Sequence, residues 1–80
     1  MPIRLVHPGE VVRDYIETKG WTQADFARRL DLTPKTISKL VNGKASIQPY
    51  MAVKFEMLFE RPAQFWLQLQ ANYDLQELEK

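Results

Sequence analysis

Apolar side chains recur along the chain at three- and four-residue spacing in five stretches, separated by Gly, Pro and Asn signals. That is the pattern of amphipathic helices rather than strands. Val12, Tyr15 and Ile16 follow Pro8-Gly9, and Lys19-Gly20 supplies a cationic last turn and a glycine for a left-handed stop, which predicts a first helix over about 8–19. Thr22 with Asp25 three residues on reads as a capping box with Asp in place of Glu. Phe26, Ala27 and Leu30 then form the buried stripe of a second helix over 23–30. Asp31 stands where a left-handed residue suits a tight turn, Thr33 is an N-cap and Pro34 a first helical position. Ile37, Leu40 and Val41 make the apolar face of the third helix, which Asn42-Gly43 ends, giving 34–42. Pro49 opens a fourth helix over 49–59, in which Val53, Met57 and either Ala52 or Phe59 are expected to face inward. A fifth helix over 62–78 completes an all-α, five-helix chain without repeat, low-complexity tract or linker, expected to form a single domain over 1–80.

Composition narrows the chemistry. With 80 residues, 45% of them hydrophobic and 26% charged, the chain has enough apolar material for one small core and too much for a disordered tail. A domain of this size buries only about 60% of its unfolded surface, so self-association is a natural source of further stability. There is no cysteine and one histidine, His7, which excludes disulfides, thiolate nucleophiles and the usual structural zinc ligands. No Ser/His/Asp set, glycine-rich phosphate loop or metal-ligand spacing appears, so neither catalysis, a metal nor a cofactor is expected. No apolar run approaches the roughly 18 residues of a membrane span, and no signal-peptide pattern opens the chain. A soluble, cytoplasmic protein is expected.

The net charge of +1 hides an asymmetry. Residues 1–44 hold eight Lys/Arg, Arg4 among them, against five Asp/Glu, a net +3, whereas residues 45–80 are net −2. The first half suits an approach to phosphate. Two helices of eight or nine residues joined by about three residues match the helix-turn-helix unit, whose second helix enters the DNA major groove. Lys35 and Lys39 lie one turn apart and each about 200° from Ile37, so an inward Ile37 turns both lysines outward. Thr33, Pro34 and Thr36 crowd the first turn of that helix, where threonine methyls or proline can touch thymine, while the lysines suit guanine or phosphate. Backbone N–H groups near Gln23 and Thr33, with Asn42 and Lys44 in the following loop, suit phosphate oxygens. Arg28 and Arg29 are weaker candidates that flank this surface.

Several tracts resemble a known family. Thr22-Gln23-Ala24-Asp25-Phe26-Ala27, Thr36-Ile37-Ser38 and Asn42-Gly43-Lys44 are similar to the phage-repressor (Xre) type of helix-turn-helix. His7-Pro8-Gly9-Glu10 and Phe65-Trp66-Leu67-Gln68-Leu69-Gln70-Ala71-Asn72-Tyr73 narrow the resemblance, over about residues 5–76, to the HigA/VapI antitoxins of bacterial toxin–antitoxin modules. That resemblance implies a five-helix dimer that represses its own operon and neutralises a RelE-like, ribosome-dependent mRNA endonuclease. It also implies that Gln23, Lys35, Lys39 and Asn42 occupy DNA-facing positions, with Thr33, Pro34 and Thr36 beside them. Two departures stand out: Asp31 replaces a frequent glycine after the second helix, and Glu60-Arg61-Pro62 replaces the usual glycine and Ser/Thr cap before the last.

The fifth helix carries two apolar stripes. Trp66, Leu69 and Tyr73 are expected to close the core, leaving Leu67, Ala71, Leu75 and Leu78 for a two-fold dimer contact or for the toxin. His7 is read as structural, a helix cap or core hydrogen-bond donor, and Glu10, Asp14 and Glu17 form an acidic ridge suited to a basic nuclease toxin or to plain solvation. Three rivals to the antitoxin reading follow. These are a stand-alone regulator without a toxin, the N-terminal domain of a longer metallopeptidase-containing regulator, and a protein-interaction module that no longer binds DNA.

Overall fold

A computed structural model describes residues 6–79; Arg4 and Lys80, both counted in the charge balance, lie outside the described residues. Five helices follow in order: α1 (Pro8–Thr18), α2 (Gln23–Leu30), α3 (Pro34–Val41), α4 (Pro49–Phe59) and α5 (Ala63–Leu78), with no strand among the described residues. The expected ends are shifted by one residue where a cap intervenes: Lys19 and Asn42 are C-caps and Pro62 an N-cap.

Each start and stop has a local cause. His7 caps α1, its Nδ1 accepting the Gly9 N–H at 2.9 Å while Glu10 Oε2 accepts the His7 N–H at 3.3 Å. His7 is thus an accepting cap rather than a core donor, and Glu10 is drawn from the acidic ridge into the same cap. Thr22 and Asp25 form the reciprocal box at α2, at 3.0 and 3.1 Å. Asp31 takes the left-handed conformation at φ 56°, and Glu60 does the same at φ 58° between α4 and α5. Pro62 provides no side-chain cap for α5. Instead Glu56 Oε1 accepts the Ala63 N–H at 2.6 Å, so α4 caps its own successor.

The core is aromatic. Phe26 of α2 stacks on Phe59 of α4 at 5.2 Å between ring centroids, and Trp66 of α5 meets Phe55 at 5.4 Å and Tyr15 at 5.2 Å edge to face. Trp66 is fully buried, and its indole N–H has no hydrogen-bond partner among the described residues. Burying roughly 200 Å² of ring contributes about 5 kcal/mol, which outweighs the roughly 1–3 kcal/mol cost of the lone donor.

In α4 the inward face differs from the expectation. Val53 and Met57 are exposed (56% and 78%), whereas Met51, Ala52, Phe55 and Phe59 are buried. The sequence of α4 is apolar on both sides, so spacing alone allows either face. The face with two phenylalanines wins because it buries more area against Phe26 and Trp66.

In α5, Leu69 packs on the core as expected, and the Tyr73 ring meets His7 edge to face at 4.7 Å. Gln70, which the pattern did not single out, is buried. Its Oε1 accepts the Ile47 N–H at 2.7 Å and pins the loop after α3 to α5. Of the second stripe, Leu67 is half-buried and packs on the core, while Ala71, Leu75 and Leu78 are exposed.

Candidate nucleic-acid interface

α2 and α3 meet through Asp31, Leu32 and Thr33. The turn is closed by the Leu32 N–H donating to the Ala27 carbonyl at 2.9 Å, with Leu32 half-buried against the core. On α3, Ile37, Leu40 and Val41 are buried and Lys35 and Lys39 exposed, as the spacing requires. Thr33 caps the helix, accepting the Thr36 N–H at 3.2 Å, and the two threonine hydroxyls lie 2.9 Å apart. Pro34 is exposed beside them, Thr36 half-buried. Lys35, Lys39 and Asn42 stand at i, i+4 and i+7, one line along the exposed side of α3, and Lys44 is exposed in the turn beyond. Gln23 lies apart from that line, exposed at the first position of α2.

The cations differ in their partners. Arg28 pairs with Asp25 at 2.5 Å and Arg29 lies 4.4 Å over the Trp21 ring. Among the described residues Lys35, Lys39 and Lys44 have no ion-pair partner, so an incoming phosphate meets no competing carboxylate there. The Asp25 carboxyl is held below its ordinary 3.8, first by the Thr22 backbone N–H, then by the Thr22 hydroxyl and the positive charges of Arg28 and Arg29; partial desolvation opposes them. The caps occupy the Asp25 and Thr36 N–H groups, while those of Gln23, Ala24 and Lys35, in the first turns of α2 and α3, have no partner among the described residues.

A neighbouring residue escaped the pattern. Arg13 of α1 donates from Nη2 to the Val41 carbonyl at 3.2 Å and to Asn42 Oδ1 at 3.1 Å, and Asn42 Nδ2 donates to Ser38 Oγ at 3.3 Å. The only sequence signal was a cation set among the acidic residues Glu10, Asp14 and Glu17. A cleft of about 370 Å³ lies here, bordered by His7, Glu10, Arg13, Val41, Asn42 and Gly43. Among the described residues no cluster of three His, Cys, Asp or Glu is placed to hold a metal, and no helix is long and apolar enough to cross a membrane.

A model of the helix-turn-helix family matches residues 12–66, from the first turns of α1 into the start of α5. The chain belongs to the Xre-type helix-turn-helix family. That family is one of DNA-binding regulators, not enzymes. The helix-turn-helix chain is 34% identical over 73 residues to an Escherichia coli HTH-type transcriptional regulator, YddM, covering 91% of this chain and 78% of that one. Among solved structures it resembles the Pseudomonas aeruginosa antitoxin HigA with the higBA promoter: TM-score 0.90, 32% identity, 94% of this chain and 83% of that one. It also resembles Pseudomonas aeruginosa PA4674 in complex with its 28-bp operator DNA: TM-score 0.89, 33% identity, 94% and 84% covered.

Proposed function

We propose that this helix-turn-helix chain is a single-domain antitoxin acting in the bacterial cytoplasm: a homodimeric repressor that binds the operator of its own operon and neutralises a RelE-like mRNA endonuclease. The observation that carries the DNA-binding part is the line of Lys35, Lys39 and Asn42 on the exposed side of α3, opposite the buried Ile37, Leu40 and Val41. Likeness to an antitoxin solved with its promoter and to a protein solved with its operator supports the same reading.

In this mechanism α3 enters the major groove. Lys35 and Lys39 reach guanine or phosphate, and Thr33, Pro34 and Thr36 line the first turn against base edges. Gln23, Asn42 and Lys44 bind backbone phosphates on either side and set the register. Ala71, Leu75 and Leu78 of α5, with Leu67 at the root of the stripe, join two copies so that the two α3 helices stand about 34 Å apart, one turn of DNA. Asp14 and Glu17, exposed on α1, offer the acidic surface for a basic nuclease.

The test is titration of the purified protein against DNA from upstream of its gene and against a scrambled duplex, at several salt concentrations. Expected is operator preference at two protomers per site, with Lys35→Ala and Lys39→Ala each lowering the salt slope by about one. Folded variants that bind as tightly as the parent would sink the assignment of α3. Likeness to an HTH-type transcriptional regulator supports a second reading, a stand-alone repressor. Co-purification with the small basic protein encoded beside the gene, and relief of its ribosome-dependent mRNA cleavage, separates the two.

A further inference from the structure

We infer that Arg13, on α1 and outside the helix-turn-helix unit, is a positioning residue for DNA binding that fixes which face of the Asn42 amide α3 offers to a phosphate. This rests on the DNA-binding reading of α3. Arg13 lies 28 residues from Val41 and 29 from Asn42 in the chain, yet its Nη2 donates to both. Val41 is the last residue of α3, and its carbonyl is one that a helix leaves without an internal partner. A guanidinium there satisfies that carbonyl and sits favourably at the negative end of the helix dipole.

The effect on Asn42 follows from donor and acceptor types. The two ends of a carboxamide are nearly equal in shape, so an unconstrained Asn can present either. A guanidinium only donates, so it accepts no N–H from Asn42 and holds Oδ1 toward itself. Nδ2 then points the other way, with one hydrogen on Ser38 Oγ at 3.3 Å and the second left over. Asn42 is exposed at the end of the Lys35–Lys39 line, so the remaining hydrogen is the polar group it has to offer. Phosphate oxygens only accept, and the amide reversed would present them with an oxygen instead.

The placement of Arg13 is itself tightly set. A Cβ on Gly9 would stand 1.9 Å from the Leu40 carbonyl oxygen, so only glycine lets the start of α1 lie directly against the backbone of α3. One turn further on, Arg13 is half-buried in the wall of the cleft between the two helices.

The experiment titrates the full chain with its upstream duplex and a scrambled duplex over a salt series, using the parent, Arg13→Gln, Asn42→Ala and the double variant. Thermal melting by circular dichroism fixes an assay temperature at which all four are folded. Expected is about tenfold weaker operator binding for Arg13→Gln with the salt slope unchanged, and less than about twofold further loss when Asn42 is already Ala. The same loss in both backgrounds, a slope lowered by about one, or no loss at all would each overturn the inference; the lowered slope would make Arg13 a phosphate ligand in its own right. Asn42→Asp keeps an acceptor for Arg13 and removes the N–H, so binding equal to the parent by that variant also overturns it. A parent that does not distinguish its own duplex from the scrambled one fails the DNA-binding reading itself.

Discussion

α3 and α5 leave opposite kinds of surface unfinished. Every apolar residue of α3 except the exposed Pro34 is buried within the chain, and what remains outside is cationic and hydrogen-bonding. α5 buries Trp66 completely but carries Leu75 and Leu78 into solvent at 56% and 83% exposure. The first surface calls for an anion and the second for another apolar face. Their difference separates what holds the monomer together from what the molecule presents to others, and substitutions can probe each side independently.

The largest effect is expected where α5 does enter the core. Trp66→Ala should cost about 4 kcal/mol in urea unfolding, because four aromatic neighbours lose their partner. A loss under about 1 kcal/mol would mean that α5 is not part of the same cooperative unit. Next comes Gly9→Ala, where the new methyl must push α1 off the Leu40 carbonyl, at about 2 kcal/mol. It should also weaken operator binding beyond its effect on stability, since the end of α3 shifts with it.

Leu75→Glu combined with Leu78→Glu should shift sedimentation toward monomer and reduce operator affinity. Stability measured on dilute protein should move by no more than about 0.5 kcal/mol. A parent that is already monomeric would remove the contrast between the helices as drawn. Met57→Lys tests the corrected face of α4 and should leave the unfolding midpoint within about 0.5 kcal/mol; a core residue would cost several times that.

The smallest effect concerns acid. Asp25 has a folded pKa below its ordinary 3.8, so it contributes stability that is present above that value and lost as pH falls through the folded pKa. Between pH 7 and 5 it should add no slope, and Asp25→Asn should flatten the stability profile below about pH 4 relative to the parent.

Much of this was legible in the chain. The Thr22–Asp25 box, the left-handed Asp31, Thr33-Pro34 and the Ile37/Leu40/Val41 stripe each depend on residues within four positions of one another, and each formed where the spacing placed it. The outward line of Lys35 and Lys39 followed from the same periodicity. Less legible was α4, because apolar residues on both sides satisfied helical spacing for two different faces. Gln70 and Glu56 were missed because their partners, Ile47 and Ala63, are backbone groups that any residue type supplies. Arg13 was missed for a related reason: a surface-like cation acquires its role only when a helix end from 28 residues away arrives beside it.

By itself, then, the sequence determined to within a residue where the helices begin and end and which residues of α3 face out, since caps, glycine-type turns and 3.6-residue periodicity act over a few neighbours. Only the tertiary structure decided which face of α4 is inside, which donors the buried Gln70 and the cap at α5 serve, and how Arg13 grips Asn42. Those choices turn on area and hydrogen-bond complementarity between surfaces far apart in the chain, and no short window of residues contains both sides.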